Sequence, residues 1–192
     1  IGFMFAPAFH PAMKHAAAPR REVGIRTVFN ILGPLTNPAG AKAQVLGIAD
    51  GSLLEKMAIT LQSLGCRHAL VVHGEDGLDE ITISGKTLVC ELKDDDIDNY
   101  SISPEDFGLP VSSRDSLAGG TLEENAGMLR GVLKGTPGPR RDVVLMNAAA
   151  ALLAGERVNT LKEGVALAEE IIYNGGALAK LEQLIEFSNN LD

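Results

Sequence analysis

Cysteine is scarce. Cys66 and Cys90 are the two in 192 residues, too few for a disulfide framework, and no Cys/His spacing resembles a zinc site. Both read as core thiols of a protein kept in a reducing compartment, the cytoplasm. No run approaches the roughly 18 to 20 consecutive apolar residues of a membrane helix. No serine or cysteine pattern offers a nucleophile for a histidine to activate. Basic residues are outnumbered, and the formal net charge of −8 repels nucleic acid and anionic membrane alike. Internal repeats and low-complexity linkers are absent. The opening IGFMFAP lacks the basic and apolar regions of a secretory signal and reads as a strand entered mid-stream, so a fragment of a longer chain is expected.

The charge that is present is segregated. Residues 1–42 hold Lys14, Arg20, Arg21, Arg26 and Lys42 against Glu22, a local balance of +4 that leaves −12 for the remainder. Such an opening suits a small anionic ligand or a partner surface. Arg20 and Arg21 stand about 100° apart if helical, so one would bind and the other brace. A guanidinium reads a carboxylate or phosphate through two parallel hydrogen bonds. The alternative is a surface cluster that pairs with the acidic remainder, and His10 and His15 serve either reading.

Pro11 starts an alanine-rich helical turn that Pro19 ends, and Val28, Ile31 and Leu32 space a short helix over Thr27–Leu32. Gly33-Pro34 then supplies a left-handed cap followed by a residue that cannot continue, before a turn through Thr36-Asn37-Pro38. AQVLGIA (43–49) is a buried-strand run. Residues 52–64 carry Leu54, Met57, Leu61 and Leu64 at helical spacing behind a Ser52/Glu55 capping box, and RHALVVHG forms a second strand. Strand, helix and strand over about thirty residues make a βαβ unit with parallel strands, which sets the expected fold class: α/β, a parallel-rich sheet flanked by helices. ITIS (81–84) and TLVCEL (87–92) suggest a hairpin through Ser84-Gly85-Lys86. KDDDID (93–98) lacks the glycine and terminal glutamate of a calcium loop and reads as a solvated acidic turn.

From Thr121 onward the chain reads as helical. Capping boxes at Thr121/Glu124 and Thr160/Glu163 precede the stripes Leu122, Ala126, Leu129, Leu133 and Leu161, Val165, Ala168, Ile172. Between them RDVVLMNAAAALLAG is apolar on nearly every side, the mark of a helix buried between layers. GALAKLEQLIEF is an amphipathic helix.

Ligand sites of open parallel sheets gather beyond the carboxyl ends of the strands, where HGEDGLDE places Glu75, Asp76, Asp79 and Glu80. Glu75-Asp76-Gly77 reads as an ordinary polar turn. Asp79 and Glu80, flanked by Leu78 and Ile81, would repel each other in a half-apolar setting unless a cation lay between them. Such hard oxygen donors suit Mg²⁺, which takes one or two carboxylates and completes its shell with water and phosphates. A solvated pair without metal is the other reading.

FAPAFHPAMKHAAAPRREVGIRTVFNILGPLTNP followed by VVHGEDGLDE resembles the carboxyl-terminal portion of the anthranilate phosphoribosyltransferases. The resemblance runs the length of the chain. It implies transfer of phosphoribosyl from phosphoribosyl diphosphate to the amine of anthranilate in tryptophan biosynthesis, with Mg²⁺ required. It also implies a fold like that of pyrimidine nucleoside phosphorylases, a small dimerising helical domain beside a larger α/β domain. Residues 1–8 and 41–192 would then belong to the α/β domain and 9–40 to the helical domain and pocket wall, within a homodimer. By motif, Arg20 matches the anthranilate-binding arginine, His10, Gly33 and Pro34 match positions lining that pocket, and Asp79 and Glu80 match the magnesium ligands. The family's G-T-G-G-D diphosphate loop and K-H-G-N-R segment have no counterpart in these residues, so the chain alone is expected not to turn over. The competing expectations are a pyrimidine nucleoside phosphorylase-like enzyme and a non-catalytic nucleic-acid-binding relative of the same fold.

Overall fold

The computed structural model describes residues 1, 2, 4–11, 15, 22, 24 and 32–190. The chain divides into two compact units, Ile1–Ala41 and Lys42–Asp192. In the first unit a one-turn helix, α1 (Ala6–Phe9), replaces the strand expected at residues 1–8. The Ala8 and Phe9 amides both donate to the Phe5 carbonyl, at 2.9 and 3.2 Å, local bonds that a strand would have directed to a neighbour. Gly33 is not left-handed. Gly33–Thr36 instead forms a 3₁₀ turn with proline in its first turn, where the missing N–H costs nothing. The Thr36 hydroxyl donates back to the Leu32 and Gly33 carbonyls, and Asn37 closes the following turn by accepting from the Ala39 amide. The helix expected over Thr27–Leu32, apart from Leu32, and the Arg20-Arg21 pair lie outside the described residues.

The second unit is built on a four-stranded sheet, β1 (Ala43–Gly47), β2 (His68–Gly74), β3 (Thr87–Lys93) and β4 (Asp96–Ile102), in the order β1-β2-β3-β4. β1 and β2 pair parallel across α2 (Leu54–Ser63), so the βαβ unit forms where the hydrophobic pattern put it. The sheet is nonetheless mixed, since β2–β3 and β3–β4 are antiparallel. The hairpin is one step further along than expected: β3 and β4 are its arms, and Asp94-Asp95, with Asp94 at φ 55°, is its turn. The acidic run is therefore an exposed turn and the start of an edge strand.

ITIS forms no strand although Ile81, Thr82 and Ile83 are all buried. Side chains take the place of a ladder. The Ile81 amide donates to Asn147 and the Thr82 amide to the Thr87 hydroxyl. The Ser84 amide donates to the Thr82 hydroxyl, and the Ile83 carbonyl accepts from the Ser112 amide. These buried backbone groups meet their need for hydrogen bonds without a neighbouring strand.

α2 packs on β2 and β3 through buried Leu54, Met57, Ala58 and Leu61. Its expected Ser52/Glu55 box does not form: the helix starts from Leu53 without a side-chain cap, and Asp50 caps the preceding 3₁₀ turn, Gly51–Leu53, its carboxylate accepting from the Ser52 amide (3.0 Å) and hydroxyl (2.7 Å); Leu64 is exposed. The remaining helices are α3 (Leu122–Leu133), α4 (Pro139–Ala154), α5 (Leu161–Tyr173) and α6 (Gly176–Asn189). α4 lies against β1 and β2 and against α5, burying Leu145, Met146, Ala149, Ala150 and Leu153 with Leu70, Val72 and Val89 of the sheet. The Thr121/Glu124 box forms. At α5 the Thr160 hydroxyl accepts from the Glu163 amide, while Glu163 accepts from Asn159 instead of returning to Thr160. The expected apolar stripe of α3 stays outward, with Leu122 at 80% and Leu129 at 50% exposure, and Val132 is its buried residue. Periodicity announces a helix; the neighbours choose its buried face. No helix among the described residues is long and apolar enough to cross a membrane.

One polar cluster interrupts the core at the start of β2. His68, 2% exposed, meets Glu91 (Nε2 to Oε1, 2.8 Å), and the Tyr100 hydroxyl donates to the other Glu91 oxygen at 2.7 Å. Burial, the bond to Glu91 and the negative charges of Glu91 and Asp98 push the Tyr100 hydroxyl well above its ordinary value, so it stays a donor. Tyr100→Phe leaves one Glu91 oxygen without its donor. A loss of about 1 kcal/mol in urea unfolding, with unchanged dependence on denaturant, is the expected result.

Candidate active-site edge

Two connections meet at the carboxyl ends of β1 and β2: residues 48–53, leading into α2, and residues 75–86, leading from β2 to β3. Asp79 and Glu80 lie in the second of these and are both exposed, between half-buried Leu78 and fully buried Ile81. Their position is set by a close approach of backbones. A Cβ on Gly47, the last residue of β1, would lie 1.6 Å from the Asp79 carbonyl oxygen, so this main chain can cross the strand end because residue 47 is glycine. Immediately beyond the acids, Ile81 is held at both backbone atoms by Asn147 of α4. The Ile81 amide donates to Asn147 Oδ1 at 3.0 Å, and Asn147 Nδ2 donates to the Ile81 carbonyl at 2.9 Å.

Asp76 organises the other end of the loop. Its carboxylate accepts from the Ser84 hydroxyl (2.6 Å), the Thr82 hydroxyl (2.8 Å) and the Leu78 amide (3.1 Å), while Arg114 donates to its carbonyl at 2.7 Å. Burial pulls the Asp76 carboxyl upward, but the Ser84, Thr82 and Leu78 bonds and the Arg114 charge outweigh it and hold it below the ordinary range. The Glu75-Asp76-Gly77 turn is thus the structural feature the sequence suggested, with a larger share of the architecture than a plain polar turn. Across the edge His73 is half-buried over Gly51, and its Nδ1–H donates to the Ile48 carbonyl at 2.9 Å.

Among the described residues no group of three or more His, Cys, Asp and Glu side chains converges as a metal cage. A cation at this edge would have the Asp79 and Glu80 carboxylates and otherwise water or ligand oxygens. That donor set fits Mg²⁺ and does not fit zinc, which takes three or four nitrogen or sulfur ligands. Both cysteines are buried, and burial raises their thiols, Cys90 to about 11 with help from the Glu55 and Asp98 charges; they are the inert core thiols expected.

Of the other sequence-derived site residues, His10 is half-buried and Gly33 and Pro34 are exposed, all within the first unit, while Arg20 lies outside the described residues. Sequence reasoning passed over Gly47, His73 and Asn147. Asn147 did carry a signal: an amide inside an otherwise apolar buried helix must find partners.

The depressed Asp76 carboxyl gives a test with a definite sign. Its contribution to stability is complete above the unfolded-state value near about 3.9 and is lost as pH falls through the lower folded value. Asp76→Asn is expected to be less stable at neutral pH and to show a shallower loss of stability below about pH 4, read from thermal melts over that range.

The a/b domain model of the glycosyl transferase family matches residues 1–178. The anthranilate phosphoribosyltransferase of Symbiobacterium thermophilum is 56% identical over 191 residues, covering 100% of this chain and 56% of that protein. Among solved structures, the anthranilate phosphoribosyltransferase of Thermus thermophilus is 47% identical with a TM-score of 0.90, covering 97% of this chain and 55% of that one. The Saccharomyces cerevisiae enzyme in complex with PRPP and Mg is 33% identical, also with a TM-score of 0.90, over 98% of this chain and 55% of that one. The chain thus spans about half the length of the relatives it matches. With a family model covering nearly all of it and relatives of this identity along its whole length, the chain belongs to the glycosyl transferase family through that family's a/b domain.

Proposed function

We propose that these residues form part of an anthranilate phosphoribosyltransferase, which moves phosphoribosyl from phosphoribosyl diphosphate to the amine of anthranilate and releases diphosphate, in the cytoplasm and as a homodimer. The observation that carries the reading is the identity to the Symbiobacterium enzyme along the whole chain. The placement of the Asp79-Glu80 pair at the carboxyl edge of a parallel strand pair supports it.

In this reading no residue forms a covalent intermediate. As the bond to diphosphate breaks, positive charge grows on the ribose and negative charge on the leaving group, so the protein's work is positioning and electrostatic stabilisation. Asp79 and Glu80 hold Mg²⁺, which when bound neutralises diphosphate charge. Because Asn147 holds the main chain at Ile81, directly after the two acids, their carboxylates need little reordering to bind. Arg20 holds the anthranilate carboxylate through two parallel hydrogen bonds so that the amine faces the anomeric carbon, and His10, Gly33 and Pro34 line the same pocket.

Steady-state kinetics on an enzyme that joins these residues to a diphosphate-binding loop tests the assignment. Arg20→Ala is expected to raise the KM for anthranilate about ten-fold or more, as loss of a charge-assisted pair requires, with a smaller effect on phosphoribosyl diphosphate. Asp79→Asn and Glu80→Gln are expected to raise the Mg²⁺ concentration giving half-maximal rate. An unchanged metal response in both acid variants removes the pair from the site. The 192 residues alone, which contain no glycine-rich diphosphate loop, are expected to consume no anthranilate.

A further inference from the structure

We infer that Asn147 is a positioning residue for the cation site, fixing the backbone from which Asp79 and Glu80 project; the inference rests on the acid-pair reading above. The amide of Asn147 has three hydrogen-bonding valences directed at protein, and all three are used. Oδ1 accepts from the Ile81 N–H, while the two Nδ2 hydrogens go to the Ile81 carbonyl at 2.9 Å and to the Val143 carbonyl, one turn back in α4, at 3.0 Å. The last of these bonds locks the side chain to its own helix. The first two grip one peptide group on each side of Ile81, including the Glu80–Ile81 peptide, which is continuous with the Glu80 Cα.

This is more than a polar group being satisfied. α4 needs apolar side chains here, and an asparagine between Met146 and Ala148 in a helix that buries Met146, Ala149 and Ala150 costs desolvation that leucine would not. What the asparagine supplies in return is a pair of fixed main-chain hydrogen bonds at Ile81, in a segment that forms no strand of its own. Asp79 and Glu80 are adjacent like charges, and without restraint their peptides would turn to part the carboxylates into solvent. Gly47 leaves room for the Asp79 carbonyl, Asp76 holds Thr82 and Ser84 further along, the Gly74 amide donates to the Leu78 carbonyl next to Asp79 at 2.8 Å, and Asn147 supplies the main-chain hydrogen bonds next to Glu80. Outer partners of metal ligands act in this way, and losing one typically costs about ten- to a hundred-fold in metal affinity.

The test uses Mn²⁺ as an oxygen-ligand probe, titrated into the 192-residue chain and followed by the electron-spin resonance of the free ion, together with hydrogen exchange at the Ile81 amide. Asn147→Ala is expected to speed Ile81 exchange and to weaken Mn²⁺ binding about ten-fold or more. Asn147→Asp keeps the oxygen that accepts from Ile81 but sets its second oxygen against the Ile81 and Val143 carbonyls, and is expected to leave Ile81 exchange fast. Leu153→Ala, which opens a cavity at the far end of the same helix, is expected to lower stability and leave Mn²⁺ affinity unchanged. If Asn147→Ala does not fold, Asn147→Leu keeps the branched shape without the hydrogen bonds and gives the same readout. Unchanged Mn²⁺ affinity or unchanged Ile81 exchange in the Ala or Leu variant overturns the inference while leaving the acid pair in place. Mn²⁺ binding that survives Asp79→Asn with Glu80→Gln defeats the acid-pair reading itself, and the role of Asn147 falls with it.

Discussion

The absence of a side chain at Gly47 is the constraint from which the candidate site follows. With a methyl group there, the Asp79 carbonyl and that carbon would occupy the same space, and the loop leaving β2 would have to swing away from the end of β1. Because the approach is open, a single main-chain segment crosses the carboxyl edge of the parallel pair. It then buries Ile81 and Ile83 beneath itself and leaves the two acids facing outward. Burial of the isoleucines drives the crossing, glycine permits it, and borrowed side-chain hydrogen bonds complete it.

Two groups of acids lie on this unit, and their backbones distinguish them. Asp94, Asp95, Asp96 and Asp98 belong to an exposed two-residue turn and an edge strand, a place where charge discourages strand-to-strand association. Asp79 and Glu80 lie on a segment tied at Asp76 and Asn147 that passes over Gly47, next to the ends of two parallel strands. Similar carboxylates thus have different settings: one set lies on a sheet edge, and the other precedes a braced residue at the strand ends, where the proposed function places a cation. In the proposed function Arg20, in the basic opening of the chain, reads the carboxylate of the organic acid.

Much of the fold was legible because it follows from local periodicity. The β1–α2–β2 unit, the buried helix α4 and the cap of α3 each depend on residues close together in sequence. The features that were not legible depend on contacts far along the chain. ITIS has the composition of a strand, yet its hydrogen bonds end on Asn147, Thr87 and Ser112. The stripe of α3 has the right spacing, but α3 meets α4 and α6 on another side, so Leu122 and Leu129 are exposed among the described residues. Ser52 does not cap α2 because a 3₁₀ turn, Gly51–Leu53, comes first and Asp50 takes both the Ser52 amide and hydroxyl at its start. The acid pair was singled out from its position after a strand; Gly47, which leaves room for its main chain, and Asn147, which braces the next residue, lie 32 residues before and 68 after Asp79 and share no local pattern with it.

The central claim is that the cation-binding carboxylates are those of the braced crossing segment. Amide spectra of the isotope-labelled chain, recorded with substoichiometric Mn²⁺, test it most directly, since paramagnetic broadening marks the residues nearest the ion. The account predicts broadening centred on Asp79 and Glu80 and spreading to Gly47 and Ile81. Broadening centred on the Asp94–Asp98 turn, with Asp79 and Glu80 still sharp, would contradict it.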